Sequence, residues 1–263
     1  MAVAEVNFLS ESLKKIVPFY AVIPMEQRKK DGNTERFRTL YLLHGYSGNY
    51  TDWLFNTRIQ QLADWYRVAV IMPSGDNSFY TDNGPKEEHY STFLTKELPA
   101  FTRALFPLSS KREDTLIGGF SMGGYGAFLN GFKHPEVFGS VIALSSAFIV
   151  NRVLSLSEGE YDKIESYSFY QSVFGDLSKL RGGECDAGAV AEKLILSGQP
   201  VPKLYFACGT EDELIGPNRA MRDRLKKLGA DFIYEEGPGE HDWKFWDCHI
   251  EHALEALLGK AKR

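Results

Sequence analysis

The sequence predicts an α/β fold in which a mostly parallel central sheet is flanked by helices and carries a short cap-like insertion. Two observations lead to this prediction. Six short apolar runs, mostly rich in branched or aromatic residues, have the length and composition of buried parallel strands. They alternate with longer segments of helical periodicity, and this alternation is typical of parallel strands joined by crossover helices.

The predicted elements follow one another in a regular order along most of the chain. Parallel strands are predicted at 37–43, 67–72, 114–118, 139–144, 203–207 and 231–235. Crossover helices are predicted at 56–66, 90–106, 124–134, 217–228 and 243–258. An N-terminal antiparallel strand at 17–23 is expected to complete the edge of the sheet.

Residues 148–199 fit this alternation poorly. The stretch mixes Ser, Gly, Glu and aromatic residues with weak periodicity, and it is far longer than an ordinary loop between a strand and a helix. We interpret it as an insertion beside the functional site, within a single domain that spans residues 1–263. Its aromatic side chains are candidates for the wall of a substrate pocket.

Composition and charge argue against several classes of protein. The chain of 263 residues is 43% apolar and 25% charged, which is typical of a globular protein. Its formal net charge is −5, and its longest block of like charge is Arg28-Lys29-Lys30, which argues against a nucleic-acid partner. No apolar stretch is long enough to span a bilayer. The expected partner is a small molecule, and association into homo-oligomers is left open.

Cysteine usage indicates a reducing compartment. Cys185, Cys208 and Cys248 are widely spaced and odd in number, which favours free thiols over a disulfide framework. The segment 14–24 resembles an export signal, but Pro18 interrupts it and no small-residue cleavage site follows, so we interpret it as a strand. The cytoplasm is the expected location.

The strongest functional signal is the sequence Gly119-Phe120-Ser121-Met122-Gly123. It follows a predicted strand and precedes a predicted helix, which is the context of a nucleophilic serine on a sharp strand-to-helix turn. Such a turn needs small flanking residues, and the helix N-terminus directs its amides toward a developing oxyanion. A glycine-rich turn with a solvated serine is the alternative, and the neighbouring strand and helix favour the nucleophile.

A serine nucleophile needs a histidine base and a carboxylate that orients the histidine, here in the chain order serine, acid, histidine. Asp212 follows the fifth predicted parallel strand, at the edge where such sheets place functional loops. We prefer it over its neighbours Glu211 and Glu213. His241 lies in the loop before the last predicted helix, from which its imidazole can reach Ser121.

The loop after the first predicted parallel strand is a candidate for oxyanion binding. The backbone N–H groups of Tyr46 and Met122 are the two predicted donors. Gly45 permits the turn that directs them inward, and His44 is interpreted as a support of this loop.

His249 and His252 are three residues apart on the last predicted helix, a spacing at which two histidines can share a metal ion. The sequence offers no carboxylate or cysteine cluster to complete such a site. We therefore expect a partly solvated helix face here, and no metal site is predicted.

Taken together, these motifs resemble the esterase D branch of the α/β-hydrolases, and the resemblance spans roughly residues 15–258. The motifs that carry it are His44-Gly45, Gly119-Phe120-Ser121-Met122-Gly123-Gly124, Gly209-Thr210-Glu211-Asp212 and Gly239-Glu240-His241-Asp242-Trp243. The compact chain is most similar to the tributyrin esterases of streptococci and lactococci. The S-formylglutathione hydrolases of the same branch usually carry a cysteine where this chain has Gly48.

The resemblance implies an α/β-hydrolase with Ser121, Asp212 and His241 as its catalytic triad and with Tyr46 and Met122 as oxyanion amides. We expect a serine carboxylesterase that cleaves acetyl to butyryl esters through an acyl-enzyme, with no metal or organic cofactor. An O-acetyl sugar deacetylase and a thioesterase of the S-formylglutathione hydrolase type are alternatives for the same site. A non-catalytic binding module is the alternative from another class, and the presence of all three triad residues argues against it.

Overall fold

A sheet of eight strands forms the centre of the computed structural model, which describes residues 1–24, 36–82 and 87–262. The strands are β1 (Ala2–Ser10), β2 (Lys15–Ile23), β3 (Arg38–Leu43), β4 (Val68–Pro73), β5 (Thr115–Phe120), β6 (Ser140–Leu144), β7 (Lys203–Gly209) and β8 (Ile233–Gly237). Their order across the sheet is β1-β2-β4-β3-β5-β6-β7-β8. Strands β3 to β8 are parallel to one another, whereas β1 and β2 are antiparallel to their neighbours.

The parallel part of the sheet confirms the predicted α/β fold. All six predicted parallel strands are present, with boundaries shifted by at most two residues. The prediction for the edge is wrong in one respect. The strand predicted at 17–23 pairs with β4 on one side and with β1 on the other, so β1 forms the edge. The sequence signal of β1 is weak because an edge strand buries few side chains, and most of those in β1 are exposed or half-buried.

The helices cover both faces of the sheet. They are α1 (Asp52–Asn56), α2 (Ile59–Tyr66), α3 (Tyr90–Thr92), α4 (Leu98–Leu105), α5 (Met122–Lys133), α6 (Val150–Val153), α7 (Tyr167–Phe174), α8 (Ala187–Leu196), α9 (Ile215–Lys227) and α10 (Trp243–Leu258). A π-helical turn, Phe93–Glu97, joins α3 to α4, and short 3-10 turns lie at Arg112–Asp114 and Leu177–Lys179.

Two predicted helices differ from the observed ones for local reasons. The helix predicted at 56–66 begins three residues later, as α2, because the extended Thr57 ends the preceding helix α1. The Thr57 hydroxyl accepts the Ile59 N–H at 3.2 Å at the start of α2. The helix predicted at 90–106 is continuous but contains the π turn. That turn ends two residues before Pro99, which has no N–H group to donate to the preceding helical turn.

Residues 148–199 are more regular than predicted, because α6, α7 and α8 all lie within them. The side chain of Ser166 caps α7 by accepting the Phe169 N–H, and Asp186 caps α8 by accepting the N–H groups of Gly188 and Ala189. These capping residues were the local signal for helices whose apolar periodicity is weak. The division of the chain into a single domain with this insertion stays a prediction.

The apolar core lies in two layers, one on each face of the sheet. Because successive strand residues point to opposite faces, Tyr41 and Leu43 of β3 belong to one layer, whereas Leu40 and Leu42 belong to the other. Helix α5 covers the first layer, and α2 and α10 cover the second. Among the described residues, no helix is long and apolar enough to cross a bilayer. The block Arg28-Lys29-Lys30 lies outside the described residues.

Helix α5 lies so close to the sheet that a side chain at Gly131 has no space. A Cβ atom there would overlap the Cγ2 methyl group of Val141 on β6. We therefore expect Gly131→Ala to lower the free energy of unfolding by about 1–3 kcal/mol through overpacking. The exposed Gly216 of α9, where an added Cβ meets open space, provides the control. Gly216→Ala is expected to leave stability unchanged or raise it by up to about 1 kcal/mol, as measured by urea unfolding. Equal stability of both variants would contradict the close approach.

Candidate active site

Ser121 lies on a strained turn between β5 and α5. Its backbone has φ 55° and ψ −120°, a conformation that a residue with a side chain adopts only when its surroundings impose it. Three backbone hydrogen bonds hold it in place. The Ser121 N–H donates to the Leu144 carbonyl at 2.9 Å, and the Ser121 carbonyl accepts the N–H groups of Tyr125 and Ala147, each at 3.0 Å.

The glycines beside Ser121 allow the helix to approach two strands at once. A Cβ atom on Gly119 would lie 2.6 Å from the carbonyl oxygen of Gly123. A Cβ atom on Gly123 would lie 2.5 Å from the carbonyl oxygens of both Leu43 and His44, at the end of β3. Small residues are needed beside Ser121 because the backbone of α5 packs directly against the backbone at the end of the sheet, which leaves no space for a side chain.

Asp212 is buried in the loop after β7 and accepts two hydrogen bonds. Its Oδ1 accepts the Leu214 N–H at 2.8 Å, and its Oδ2 lies 2.8 Å from His241 Nδ1. Burial raises the pKa of the Asp212 carboxyl, but the hydrogen bonds from His241 and Leu214 outweigh burial and hold this pKa below its ordinary value. Asp212 is therefore ionised at neutral pH.

The neighbouring acids are engaged elsewhere. Glu211 is exposed, and its carboxylate accepts the Gly239 N–H at 2.6 Å. Glu213 is exposed as well. Among the described residues, Asp212 is the carboxylate that hydrogen-bonds the His241 ring.

The His241 ring is held in one orientation and one tautomer. Because the ionised Asp212 can only accept, His241 Nδ1 carries the proton of their hydrogen bond and Nε2 is the basic nitrogen. The ring lies edge-on against Trp246, with 4.9 Å between ring centroids. Trp246 in turn stacks on Phe120, the residue before Ser121, with 4.1 Å between centroids. The aromatic rings thus connect the histidine loop to the serine turn.

Ser145 was not identified from the sequence, although it supports this arrangement. Its fully buried hydroxyl accepts the indole N–H of Trp246 at 3.1 Å, and it helps to hold the pKa of the Asp212 carboxyl below its ordinary value. Its backbone has φ 44°, and its N–H donates to the Ala207 carbonyl on β7 at 2.7 Å. The available signal was the pair of serines that directly follows the predicted strand 139–144, since polar residues at the carboxyl ends of parallel strands line functional sites.

His44 is fully buried at the end of β3, and both of its ring nitrogens are hydrogen-bonded. Nδ1 donates to the Gly45 carbonyl, and Nε2 accepts the Gly75 N–H, each at 2.8 Å. Burial lowers the pKa of His44, so the ring is neutral. The hydroxyl of Tyr80 donates to the His44 carbonyl at 2.9 Å. These bonds define the path of the chain that leads into Tyr46.

The backbone N–H groups of Tyr46 and Met122 donate to no acceptor in the described part of the chain. Met122 is the first residue of α5, where helical N–H groups have no partner inside the helix. The side chain of Tyr46 is anchored to the insertion, because its hydroxyl donates to Glu165 and its ring contacts Phe169, with 5.8 Å between centroids.

A cavity of about 510 Å³ lies between the insertion and the segment after Asp212. Its apolar lining includes Tyr125, Phe148, Ile149, Leu214 and Met221. Its charged lining includes Arg152, Arg181, Asp186, Glu213 and Arg224. Its described lining contains none of Ser121, Asp212 and His241. The lining residue Phe148 directly follows Ala147, whose N–H donates to the Ser121 carbonyl.

Comparison with known proteins gives consistent matches over almost the whole chain. Residues 10–257 match the model of the putative esterase family. The acetyl esterase of Caldicellulosiruptor saccharolyticus is 45% identical over 259 residues, which cover 97% of each chain. The substrate-bound structure of the fluorophosphonate-binding serine hydrolase F of Staphylococcus aureus is 30% identical, with a TM-score of 0.87 and 98% of each chain covered. An S-formylglutathione hydrolase of the same organism is 29% identical, with a TM-score of 0.84 over 98% of this chain and 100% of that one.

Proposed function

The chain belongs to the putative esterase family and is a serine carboxylesterase, and we propose that it hydrolyses acetyl to butyryl esters with Ser121, Asp212 and His241 as its triad. The observation that carries the proposal is the 2.8 Å hydrogen bond between Asp212 and His241, joined through Trp246 and Phe120 to the strained serine turn. The likeness to an acetyl esterase over 97% of both chains supports the substrate class.

In the proposed reaction, His241 Nε2 removes the hydroxyl proton of Ser121 as its Oγ attacks the ester carbonyl carbon. The tetrahedral oxyanion collapses, the bond to the alcohol oxygen breaks, and His241 returns its proton to that oxygen. Water then attacks the acyl-enzyme in the same manner and releases the carboxylic acid and free Ser121. Asp212 holds the Nδ1 proton of His241 and stabilises the imidazolium that forms in each step.

We propose that the backbone N–H groups of Tyr46 and Met122 bind the oxyanion. The positive end of the α5 dipole adds to the stabilisation of negative charge. His44 and Gly45 position the first donor. At Gly45 a Cβ atom would overlap the ring of Phe120, so the loop can approach the serine turn only with glycine there.

The 510 Å³ cavity is proposed to receive the part of the substrate beyond the scissile ester. Its mixed lining of aromatic, aliphatic and arginine side chains fits a polar alcohol or an acylated sugar better than a long alkyl chain. An O-acetyl sugar therefore remains a candidate substrate alongside simple acetyl esters and tributyrin, the substrate suggested by the streptococcal and lactococcal resemblance.

The glycine at position 48 is the sequence difference on which our preference for oxygen esters over glutathione thioesters rests. A Cβ atom there would overlap the Asp52 carboxylate and lie 3.2 Å from the Gly45 carbonyl oxygen. The cysteine that S-formylglutathione hydrolases usually carry at this position would require Asp52 to move. We therefore propose oxygen esters as the preferred substrates.

We further propose that the protein acts in the cytoplasm, because Cys185, Cys208 and Cys248 are free thiols and free thiols are usual in reducing compartments.

We also propose that copies of the chain associate through the β1 edge of the sheet. Leu9 and its register partner Ile16 are 69% and 67% exposed there, and apolar pairs at a sheet edge favour contact with another chain.

The triad proposal predicts how much esterase activity is lost when Ser121 or each of the neighbouring acidic residues is replaced. Ser121→Ala is expected to remove nearly all hydrolysis of p-nitrophenyl acetate while leaving the circular dichroism spectrum unchanged. Asp212→Asn is expected to lower kcat by roughly 10³- to 10⁴-fold, because the amide favours the wrong His241 tautomer. Glu213→Gln and Glu211→Gln should cost far less. A glutamine variant that loses more activity than Asp212→Asn would move the orienting role to that glutamate.

The hydroxyl of Ser145 is predicted to contribute through Asp212. Because a hydrogen bond to a charged group contributes about 1.5–3 kcal/mol, Ser145→Ala should lower kcat by about tenfold or more with little change in KM. Ser146→Ala is the matched control, since the buried Ser146 hydroxyl has no hydrogen-bond partner in the described part of the structure. If both variants lose the same activity, the effect comes from packing and not from the bond to Asp212.

The acyl preference is tested with p-nitrophenyl esters of increasing acyl length. We expect the highest kcat/KM for two- to four-carbon acyl groups and a decline toward twelve carbons, because each methylene left in water forgoes about 0.8 kcal/mol of binding. Tributyrin and an acetylated sugar complete the panel. An optimum at eight carbons or beyond would refute the short-chain proposal while leaving the triad assignment intact.

A further inference from the structure

Two histidines and a glutamate converge outside the active site, where the sequence predicted only a solvated helix face. His249 and His252 lie on α10, and Glu235 comes from the neighbouring strand β8. Glu235 Oε2 lies 3.0 Å from His252 Nδ1 and 3.5 Å from His249 Nδ1. The expectation that no carboxylate stands near these histidines is wrong, because the parallel strand brings in a residue that is distant in sequence.

These distances match the separations between the ligand atoms of a small tetrahedral metal ion. Zinc bound to histidine nitrogen and carboxylate oxygen at about 2.0–2.1 Å has ligand atoms roughly 3.4 Å apart. The oxygen-to-nitrogen distances of 3.0 and 3.5 Å lie on either side of this value, and one ligand atom from each residue lies within 4.8 Å of the others. We propose that Glu235, His249 and His252 bind a divalent zinc-like ion, with water completing the coordination.

The three side chains differ in exposure in a way that suits such a site. The His249 side chain is 12% exposed, whereas those of Glu235 and His252 are 41% and 49% exposed, so an ion can enter from solvent. The His249 ring stacks on Phe245 with 4.0 Å between centroids, which fixes its orientation.

The hydroxyl of Tyr205 contacts two of the three proposed ligands. The buried hydroxyl of Tyr205 on β7 donates to Glu235 Oε2 at 2.9 Å and lies 3.0 Å from His249 Nδ1. Hydrogen bonds of this kind orient ligating carboxylates and strengthen metal binding.

The position of the site gives metal binding a structural consequence. It joins β8, which ends at Gly237, to α10, which begins at Trp243, and these two elements flank the loop that carries His241. An ion bound across them is expected to stabilise the base of that loop. This inference rests on the geometry of the three ligands and does not depend on the proposed esterase substrates.

Cys248 provides the competing arrangement. Its exposed thiol lies 3.7 Å from Nε2 of His252, on the side of the ring opposite Nδ1. A metal held by Cys248 and His252 would therefore leave Glu235 and His249 out of the coordination.

The test is titration of the EDTA-treated 263-residue chain with zinc, followed by calorimetry and by thermal unfolding. We expect one zinc ion per chain and a rise in Tm in the wild type. Glu235→Gln and His252→Asn should weaken binding by at least about tenfold and abolish the rise in Tm, while each metal-free variant keeps the metal-free wild-type esterase rate. His134→Asn, at the end of α5 on the other face of the sheet, and Cys248→Ser should bind zinc as the wild type does.

Cobalt substitution identifies the ligands directly. The proposed site predicts a four-coordinate visible spectrum without a thiolate-to-cobalt charge-transfer band. Unchanged zinc binding in Glu235→Gln, or loss of binding in Cys248→Ser together with a thiolate band, would overturn the proposal in favour of the cysteine arrangement. The absence of stoichiometric zinc binding in the wild type would overturn both.

Discussion

The close approach of helix α5 to the ends of three strands is the constraint on which the rest of this structure depends. Gly119 and Gly123 allow backbone to meet backbone at distances that no Cβ atom could tolerate, and Gly131 extends the same contact along the helix. The strained Ser121 is held between them by bonds to β6 and to the segment after it. The strained backbone conformation of Ser121 persists because the surrounding sheet and helix fix its position.

A buried polar network keeps the charge of Asp212 in place. An ionised carboxylate is costly to bury unless donors surround it, and here His241 and Leu214 donate to Asp212 while the Ser145 hydroxyl helps to lower its pKa. Trp246 completes the network, because its indole N–H binds Ser145 while its ring contacts His241. The same residues therefore stabilise the buried charge of Asp212 and orient the His241 ring.

Two loops of the proposed site, the proposed oxyanion loop that contains Tyr46 and the histidine loop that contains His241, are each held by contacts with neighbouring elements. The oxyanion loop is tied to the insertion through Tyr46 and Glu165 and to the sheet through the buried His44. The histidine loop is flanked by β8 and α10, which Glu235 and His252 connect. Loops gain a defined geometry when rigid elements hold both of their ends, which is what an arrangement complementary to a transition state requires.

The sequence by itself determined the alternation of strands and helices, the serine turn and the order of the candidate catalytic residues. These features are local, since apolar periodicity, glycines and chain order can be read within a few residues. The sequence favoured Asp212 over its acidic neighbours, but only the tertiary structure showed its hydrogen bond to His241, revealed Ser145 near it and brought Glu235 to His249 and His252. Each of these depends on side chains from different strands or helices, and parallel pairing between segments distant in the chain decides which of them meet.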